Sequence, residues 1–336
     1  MPKLVIHMGT HKTATTHIQD TLYKNRRLLR THGLVYPTLG HERGHHGLAS
    51  GWIPLGPRYS YKNPERRLQT LNRGILRRMK ASDTVFISSE EFSRWNPRHV
   101  EMAQLRDLIS DFDEIKVICA LRTQSGFIQS VYQQVSDDRN PGNIDAYVDT
   151  VVERDLVEGL FTNYHRLVRH ISDGFDLNEI RLINYERASA QEGGIVGAVL
   201  QEAGIQIDPK ALQPFDAQRH SNVSPEPLAT FAANFVAHTH KAPQWLVRAA
   251  GKTVIETFGA ETRTTLFSKA QIDTLIETYE PKNRALERLI AATQPKFRMT
   301  PIDAPLQGRA TRNQIGAEFF QALSRKMIKI KQEAHG

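Results

Sequence analysis

Short runs of apolar residues alternate along the chain with longer segments whose apolar positions follow a helical period. The runs are Leu4–Met8, Thr84–Ser88, Ile115–Leu121 and Ile180–Asn184, and their length and apolar content predict buried strands. Strands of this kind that alternate with helices are typical of a parallel β-sheet covered on both faces. The pattern therefore predicts an α/β protein whose ligand binds at the carboxyl ends of the strands.

Between and beyond these runs, the apolar positions predict amphipathic helices. One helix is expected from Thr15 to about His32, ended by Gly33, and others over Asn143–Ile171 and Gly194–Ala203. Beyond about Pro214 the chain is predicted to be mainly helical, with breaks at three prolines: Pro225, Pro243 and Pro281. The tail, Asn313–Gln332, should form a basic amphipathic helix with four apolar residues near one face: Ile315, Phe319, Leu323 and Ile330.

Composition is that of an ordinary soluble globular protein, with 336 residues of which 40% are hydrophobic and 24% charged. The net charge of +8 is compatible with a nucleotide, a nucleic acid or an anionic membrane surface as partner, and it does not distinguish among them. The single cysteine, Cys119, excludes a disulfide within the chain and is predicted to be a buried structural thiol. The apolar run before Gly9 is too short for a secretory signal, and no run approaches the ~18 apolar residues of a membrane span, so a soluble, cytoplasmic protein is expected.

The segment Gly9–Thr16 follows the first predicted strand and opens the first predicted helix. Such a junction presents backbone N–H groups and the positive end of the helix dipole, which together suit a phosphate. Lys12 adds a positive charge, small Ala14 lets the backbone approach an anion, and hydroxyl donors come from Thr13, Thr15 and Thr16. The segment is not a Walker A loop, Gly-x-x-x-x-Gly-Lys-Ser/Thr, because Lys12 comes three residues after Gly9 and no glycine precedes it directly.

A second candidate for anion binding follows the run Ile115–Leu121, which ends in Arg122. An arginine at the carboxyl end of a strand lies on the ligand edge of the sheet, where its guanidinium can hold a phosphate through two hydrogen bonds. Ser130 comes two helical turns later and can reach the same anion.

Together, Leu4–Gln19 and Ala120–Ser130 resemble the two nucleotide-binding signatures of sulfotransferases that use PAPS (3′-phosphoadenosine 5′-phosphosulfate), most closely the bacterial-type branch. Many members of that family have glycine at the position of Ala14. Three further segments agree more weakly, namely Phe86–Glu91, Arg219–Ser224 and Tyr279–Arg284. The resemblance covers about Pro2–Ala292.

This resemblance implies a P-loop NTPase-like α/β fold, with a parallel sheet flanked by helices on both faces and a mainly helical C-terminal part. We expect a sulfotransferase domain over residues 1–300, with a nucleotide-binding core at about 1–215 and a helical part at about 216–300. Residues 301–336 would form an extension that carries the basic helix. The implied reaction moves a sulfuryl group from PAPS to a hydroxyl or amine of an unidentified acceptor and leaves PAP, with no metal required.

The family's residue roles carry over to the matching positions. Lys12 would stabilise the leaving group, and the donor's 5′-phosphosulfate would be cradled by His11, Lys12, Thr13, Ala14, Thr15 and Thr16. The 3′-phosphate would be held by Arg122 and Ser130, helped by Arg219. Glu90 is the first candidate for the base that takes the acceptor's proton; Glu91 is the alternative, because neighbouring side chains of a strand point to opposite faces.

Residues Gly40–Lys62 show no clean period and are rich in glycine, proline, histidine and tyrosine, which predicts a long loop. His41 and His45 are four positions apart, but the surrounding glycines disfavour the helix that would align them on a metal. We therefore predict no metal site. The segment is either a loop on the acceptor side or a simple solvent-exposed loop, and His45 and His46 are the next candidates for the base.

Two other classes of function stay open. A P-loop kinase or another ATP-dependent transferase is disfavoured by the missing Walker A pattern. A non-catalytic protein that binds nucleic acid or an acidic membrane is favoured only by the net charge and the basic segment Arg325–Lys331. No nucleic-acid motif is recognised, so we expect a small-molecule, carbohydrate or lipid acceptor as partner, no integral membrane segment, and at most a peripheral membrane contact through the C-terminal helix.

Overall fold

The computed structural model describes residues 3–39, 42–69, 79–80, 82–214 and 225–333. Within them, strands β1 to β7 span Lys3–His7, Leu34–Val35, Thr84–Ser88, Glu114–Leu121, Leu156–Val157, Leu160–Phe161 and Ile180–Asn184. Helices α1 to α12 span Thr15–Lys24, Arg26–Thr31, Met102–Leu108, Gln124–Ser136, Ile144–Arg154, Tyr164–Ile171, Tyr185–Ala190, Gly194–Glu202, Pro227–Ala237, Gln244–Phe258, Lys269–Leu289 and Ala317–Glu333. Residues 64–69 are helical as well. All four predicted strands are observed, each within one residue of the expected bounds.

Strand β1 is the centre of a parallel five-stranded sheet with the order β2–β3–β1–β4–β7. Lys3 pairs with Thr84 of β3 on one side and with Glu114 of β4 on the other. After β1 the chain builds β2 and β3 on one side and then crosses to build β4 and β7 on the other. Ligands of open α/β sheets bind at such a change of direction, outside the carboxyl ends of the strands.

Both faces of the sheet are buried, as expected of parallel strands between layers of helices. On one face Val5, Phe86 and Ile118 share a core cluster with side chains of α1 and α8, among them Ile18, Leu22, Val196 and Val199. On the opposite face the side chains of Leu4, Ile6 and Cys119 are also buried. Burial raises the pKa of the Cys119 thiol to about 12, in keeping with the predicted structural role. The predicted parallel sheet flanked by helices, with a mainly helical C-terminal part, is confirmed.

The chain divides into two compact units, each assembled from three segments. The first unit, which contains the five-stranded sheet, takes Met1–Arg122, Glu158–His220 and Lys282–Thr300. The second takes Thr123–Val157, Ser221–Pro281 and Pro301–Gly336. The domain limits expected from the sequence, at about 215 and 300, stay predictions.

The expected helix from Thr15 to about His32 is wrong in one respect, because it is two helices, α1 and α2, that meet at Asn25. The side-chain amide of Asn25 donates hydrogen bonds to the carbonyl oxygens of Thr21 and Gln213, at 2.9 and 3.0 Å. An asparagine that bonds to nearby carbonyl groups in this way competes with the regular helical pattern. The predicted end at Gly33 is confirmed, where φ is +80°.

The single helix expected over Asn143–Ile171 is also wrong, because α5 ends at Arg154 and α6 begins at Tyr164. Asp155, Glu158 and Gly159 all have positive φ angles, of 57°, 50° and 79°, and the chain between the helices is extended or turning. A helix cannot pass through residues in that conformation.

Among the expected proline breaks, the one at Pro281 is wrong, because α11 runs through it from Lys269 to Leu289. Pro243 stands immediately before α10 as its N-cap, as a helix-limiting proline should. The predicted tail helix is observed as α12, which begins at Ala317 rather than at Asn313. Phe319 and Leu323 of α12 are buried in one cluster with residues of α9 and α10.

Candidate functional site

The loop between β1 and α1 is held against the neighbouring strand β4. The backbone N–H groups of Met8 and Thr10 donate to the carbonyl oxygens of Ile118 and Ala120, at 2.9 and 3.2 Å. Within the loop, the buried hydroxyl of Thr13 donates to the carbonyl oxygen of Thr10 at 2.5 Å. These bonds fix the shape of the loop, and the Thr13 hydroxyl is engaged in holding it.

Three residues of this loop have positive φ angles: Gly9 at 36°, Lys12 at 64° and Ala14 at 59°. A left-handed residue followed by a right-handed one turns successive backbone N–H groups toward one side and can form a concave nest for an anion, and left-handed Ala14 followed by the first helical residue, Thr15, is such a pair. Ala14 is the N-cap residue of α1, and its methyl group cannot accept a hydrogen bond from the first-turn N–H groups. The loop and the start of α1 therefore have the geometry that an anion needs.

Two buried polar atoms lie beside Gly9 without a hydrogen-bond partner, Nε2 of His7 and Oγ1 of Thr15. A Cβ atom on Gly9 would stand 3.1 Å from the first and 3.3 Å from the second, so a side chain there would crowd both. Burial, opposed by the charge of Glu90, lowers the pKa of His7 to about 4, so its ring is neutral at physiological pH. Buried polar atoms without a partner call for one, and an anionic ligand bound between the end of β1 and the start of α1 could supply it to the Thr15 hydroxyl.

Arg122, at the end of β4, meets the loop after β1. Its Nη1 donates to the carbonyl oxygen of Lys12 at 3.1 Å, and its guanidinium carbon lies 5.4 Å from the centre of the Tyr185 ring. The hydroxyl of Tyr164 donates to the carbonyl oxygen of Arg122 at 2.7 Å. The structure therefore brings together the two predicted anion-binding segments, and it adds Tyr185 and Tyr164, which the sequence did not indicate.

Two further residues, Ser130 and Arg219, are predicted to hold the 3′-phosphate together with Arg122. Ser130 lies on α4, in the second unit. Arg219 and the whole segment Arg219–Ser224 lie outside the described residues. Their roles stay predictions.

Glu90 begins a short 3₁₀ helix, Glu90–Ser93, directly after β3. Its Oε2 accepts a hydrogen bond from the side-chain amide of Gln19 at 3.1 Å and lies 3.6 Å from Nδ1 of His46. The same nitrogen of His46 is 3.1 Å from Oγ of Ser89. The side chain of Glu90 keeps 17% of its surface exposed, so it is held in place and still accessible at the carboxyl edge of the sheet.

Glu91 is surrounded by cationic or ionisable groups instead. Its two carboxylate oxygens lie 3.3 Å from Nε2 of His11 and 2.7 Å from Nε of Arg94. Burial by itself would raise the pKa of Glu91, but the hydrogen bonds and charges of His11 and Arg94 outweigh it and lower the pKa to about 2. A carboxylate with such a low pKa is a weak base, so Glu91 is poorly suited to accept a proton.

The histidines of the predicted long loop have separate roles. His45 is buried, its Nε2–H donates to the carbonyl oxygen of Pro37 at 2.8 Å, and its Nδ1 accepts from the backbone N–H of Ser88 at 2.9 Å. Burial lowers the pKa of His45 to about 4, and with both ring nitrogens bonded it holds the loop to β3. His46 lies at Glu90, whereas His41 lies outside the described residues.

Within the described ranges, 3–39, 42–69, 79–80, 82–214 and 225–333, no three histidine, cysteine, aspartate or glutamate side chains cluster so that they could hold a metal ion. No helix there combines the length and the apolar character needed to cross a bilayer.

No family model and no curated protein matches the sequence, whereas several solved structures are similar to this one. A sulfotransferase from Alicyclobacillus acidocaldarius aligns over 86% of this chain and 96% of its own, with 14% identity and a TM-score of 0.48. The sulfotransferase domain of the Synechococcus PCC 7002 olefin synthase aligns over 83% and 94%, with 13% identity and a TM-score of 0.38. Mouse sulfotransferase SULT7A1, solved with PAP, aligns over 86% and 88%, with 14% identity and a TM-score of 0.38. At these values the likeness carries no argument about chemistry, which has to be made from the residues of this chain.

Proposed function

We propose that this protein is a sulfotransferase that moves a sulfuryl group from PAPS to a hydroxyl or amine of an acceptor and leaves PAP. The observation that carries the proposal is the contact between Arg122 and the backbone of Lys12. It joins two segments, each at the carboxyl end of a strand, that resemble the nucleotide-binding signatures of this family. The acceptor is a small molecule, a carbohydrate or a lipid.

The donor's two phosphate groups are matched by two sets of cationic and polar groups. The loop from His11 to Thr16 offers the 5′-phosphosulfate the backbone nest, the charge of Lys12 and the unpartnered Oγ1 of Thr15. Arg122 offers the 3′-phosphate a guanidinium that Tyr185 supports from its ring face. Ser130 and Arg219 complete this second set in the proposal.

The chemical step is a displacement at sulfur. The acceptor oxygen or nitrogen attacks the sulfur and gives its proton to Glu90, while the bond from sulfur to the bridging oxygen of the 5′-phosphate breaks. Lys12 stabilises the negative charge that builds up on that oxygen. Positioning and charge stabilisation supply most of the catalysis in group transfers of this kind.

The surroundings of the four candidate bases support Glu90. The low pKa of Glu91 makes it a weak base, and both ring nitrogens of His45 are bonded to the backbone. Nδ1 of His46 lies near both Oγ of Ser89 and Oε2 of Glu90, so His46 is better placed to contact Glu90 than to act as the base itself. Gln19 and His46 thus orient the Glu90 carboxylate.

A thermal-shift comparison of PAP with ATP tests the proposal. PAP carries the 3′-phosphate that Arg122 would bind, and ATP lacks it, so PAP should stabilise the protein more. A ligand at one hundred times its dissociation constant adds about 2.7 kcal/mol of stability. The preference for PAP should shrink in Arg122→Ala. Equal shifts with the two nucleotides would argue for an ATP-dependent transferase.

A further inference from the structure

Three large apolar side chains are exposed around one connection between helices in the second unit. Phe235 and Val236, in the last turn of α9, are 63% and 36% exposed, and Trp245, in the first turn of α10, is 42% exposed. Residues 238–243 join the two helices. We call residues 235–245 the hairpin tip, because two packed helices with so short a connection lie antiparallel.

Packing and hydrogen bonds hold the backbone of the hairpin tip in place. Helices α9 and α10 share a core cluster built largely of small side chains, among them Ala229, Ala232, Ala233, Ala249 and Ala250. The side-chain amide of Asn140 lies 2.9, 2.5 and 3.2 Å from the carbonyl oxygens of Asn234, His238 and His240, and so ties down the connection. Exposed apolar groups on a fixed backbone lose little conformational entropy when they bind a partner.

The chain segment that forms the tip carries charge of one sign. No aspartate or glutamate occurs between Pro227 and Ile255, whereas the same stretch contains five basic or ionisable side chains: His238, His240, Lys241, Arg248 and Lys252. All five are exposed. Aromatic residues flanked by cations, without acidic residues, match the boundary between lipid headgroups and acyl chains, where rings enter and long cationic side chains reach the headgroups.

We propose that the hairpin tip docks on the surface of a membrane that contains anionic lipids, with Phe235 and Trp245 entering the headgroup boundary and Lys241 and Arg248 binding lipid phosphates. The surface differs from the C-terminal contact expected from the sequence. Phe319 and Leu323 of α12 are buried in one cluster with residues of α9 and α10, so this part of the helix's apolar face is already covered, whereas Ile328 and Ile330 are exposed. The docking is independent of the sulfotransferase proposal.

Sedimentation of the full chain with vesicles tests this docking. Vesicles of phosphatidylcholine with phosphatidylserine should bind the protein, vesicles of phosphatidylcholine alone should bind it weakly, and added salt should release it. Phe235→Ser and Trp245→Ser should each weaken binding about tenfold, because interfacial affinity follows the apolar area that is buried. Trp245→Phe should still bind but should lose the blue shift of tryptophan emission that the parent protein shows.

Matched controls separate the tip from other exposed apolar residues. Ile255→Ser changes a residue that is 51% exposed on the same helix α10, about 15 Å from Trp245, and should leave binding unchanged. Binding that is lost with Ile328→Ser in α12 and kept in the tip variants would overturn the proposal in favour of the C-terminal helix. Absence of vesicle binding would overturn the proposal too. So would self-association of the protein without lipid, measured by ultracentrifugation, if the tip substitutions abolish it.

Discussion

Glu90 and Glu91 are adjacent in the chain, yet their side chains have different surroundings. Glu90 contacts the neutral amide of Gln19 and lies near His46, whereas Glu91 is bonded to His11 and Arg94. The difference arises because residues of the 3₁₀ helix Glu90–Ser93 point in different directions as they leave β3. Two chemically identical carboxylates are thus given different electrostatic surroundings by their neighbours, and the proposed function uses Glu90 as the base.

Glu90→Gln should lower kcat by about 10²–10⁴-fold while PAP still binds, because the amide keeps the size and the hydrogen bonds of the carboxylate but cannot accept the proton. Steady-state kinetics and a PAP thermal shift measure the two effects. Glu91→Gln is the matched control and should cost much less activity. A variant at Glu91 that is the more damaging of the two would transfer the base to that residue.

Glu91→Gln should instead lower stability in a way that depends on pH. The pKa of Glu91 is lowered from its usual 4.5 to about 2 in the folded protein. Its carboxylate therefore stabilises the fold above pH 4.5, and this contribution disappears as the pH falls toward 2. The difference in Tm between the parent protein and the variant should be largest near neutral pH and should shrink below pH 4.5. A difference that is independent of pH would contradict the ion-pair explanation.

Lys12→Ala and Arg122→Ala should change different kinetic constants. In the proposed reaction Lys12 acts on charge that develops in the transition state, so its loss should mainly lower kcat. Arg122 would bind the donor in its ground state, so its loss should mainly raise the KM for PAPS. Initial rates at varied PAPS concentration separate the two effects. An unchanged kcat in Lys12→Ala would remove that lysine from the chemical step.

At the scale of elements, the junction between β1 and α1 keeps a strained backbone. Ala14 has φ 59° and ψ 29°, a left-handed conformation in which its Cβ is crowded, at the N-cap of α1. Strain of this kind is found where a loop must hold a ligand in one geometry. A glycine at this position would adopt the same φ and ψ without the crowding of a Cβ.

Ala14→Gly should therefore stabilise the protein by about 0.5–1 kcal/mol, since the relief of left-handed strain exceeds the entropy that glycine adds to the unfolded chain. Thermal or denaturant unfolding measures the change. Ala198→Gly, within α8, should instead destabilise the protein by about 1 kcal/mol. Destabilisation by both substitutions would show that Ala14 is not strained in solution.

At the scale of the whole molecule, the net charge of +8 favours an anionic ligand. In the proposed reaction the positive charges that act on the donor come from the side chains of Lys12 and Arg122, without a metal. The sulfonate that is transferred carries less negative charge than a phosphoryl group, so the charge of Lys12 can suffice for the leaving oxygen. Transfer should therefore survive EDTA, with a rate within about twofold of the untreated enzyme. Loss of activity in EDTA that magnesium restores would favour the kinase-like alternative.

The strands, and the two segments proposed to bind an anion, could be predicted from the sequence alone. Apolar runs such as Thr84–Ser88 are buried on both faces of a parallel sheet, so burial leaves its pattern in consecutive residues and the strand can be predicted from them alone. The Lys12 loop and Arg122 were predicted for a related reason, because parallel strands place all their carboxyl ends at one edge. From the sequence, Glu90 is the first candidate for the base and Glu91 the alternative, but the contacts that separate their surroundings come from other parts of the chain.

The surroundings of each of these side chains depend on the tertiary structure, because their partners are distant in the chain. Arg122 and Lys12 lie 110 positions apart in the chain, Glu91 and His11 80 positions, and Ser88 and His45 43 positions. The same holds for Asn25, whose bond to Gln213 helps to interrupt the predicted helix across 188 positions. Partners at such distances along the chain leave no period or spacing in the sequence. They form because folding of the sheet brings the ends of β1, β3 and β4 together, and the resulting local charges, bonds and desolvation then set what each side chain can do.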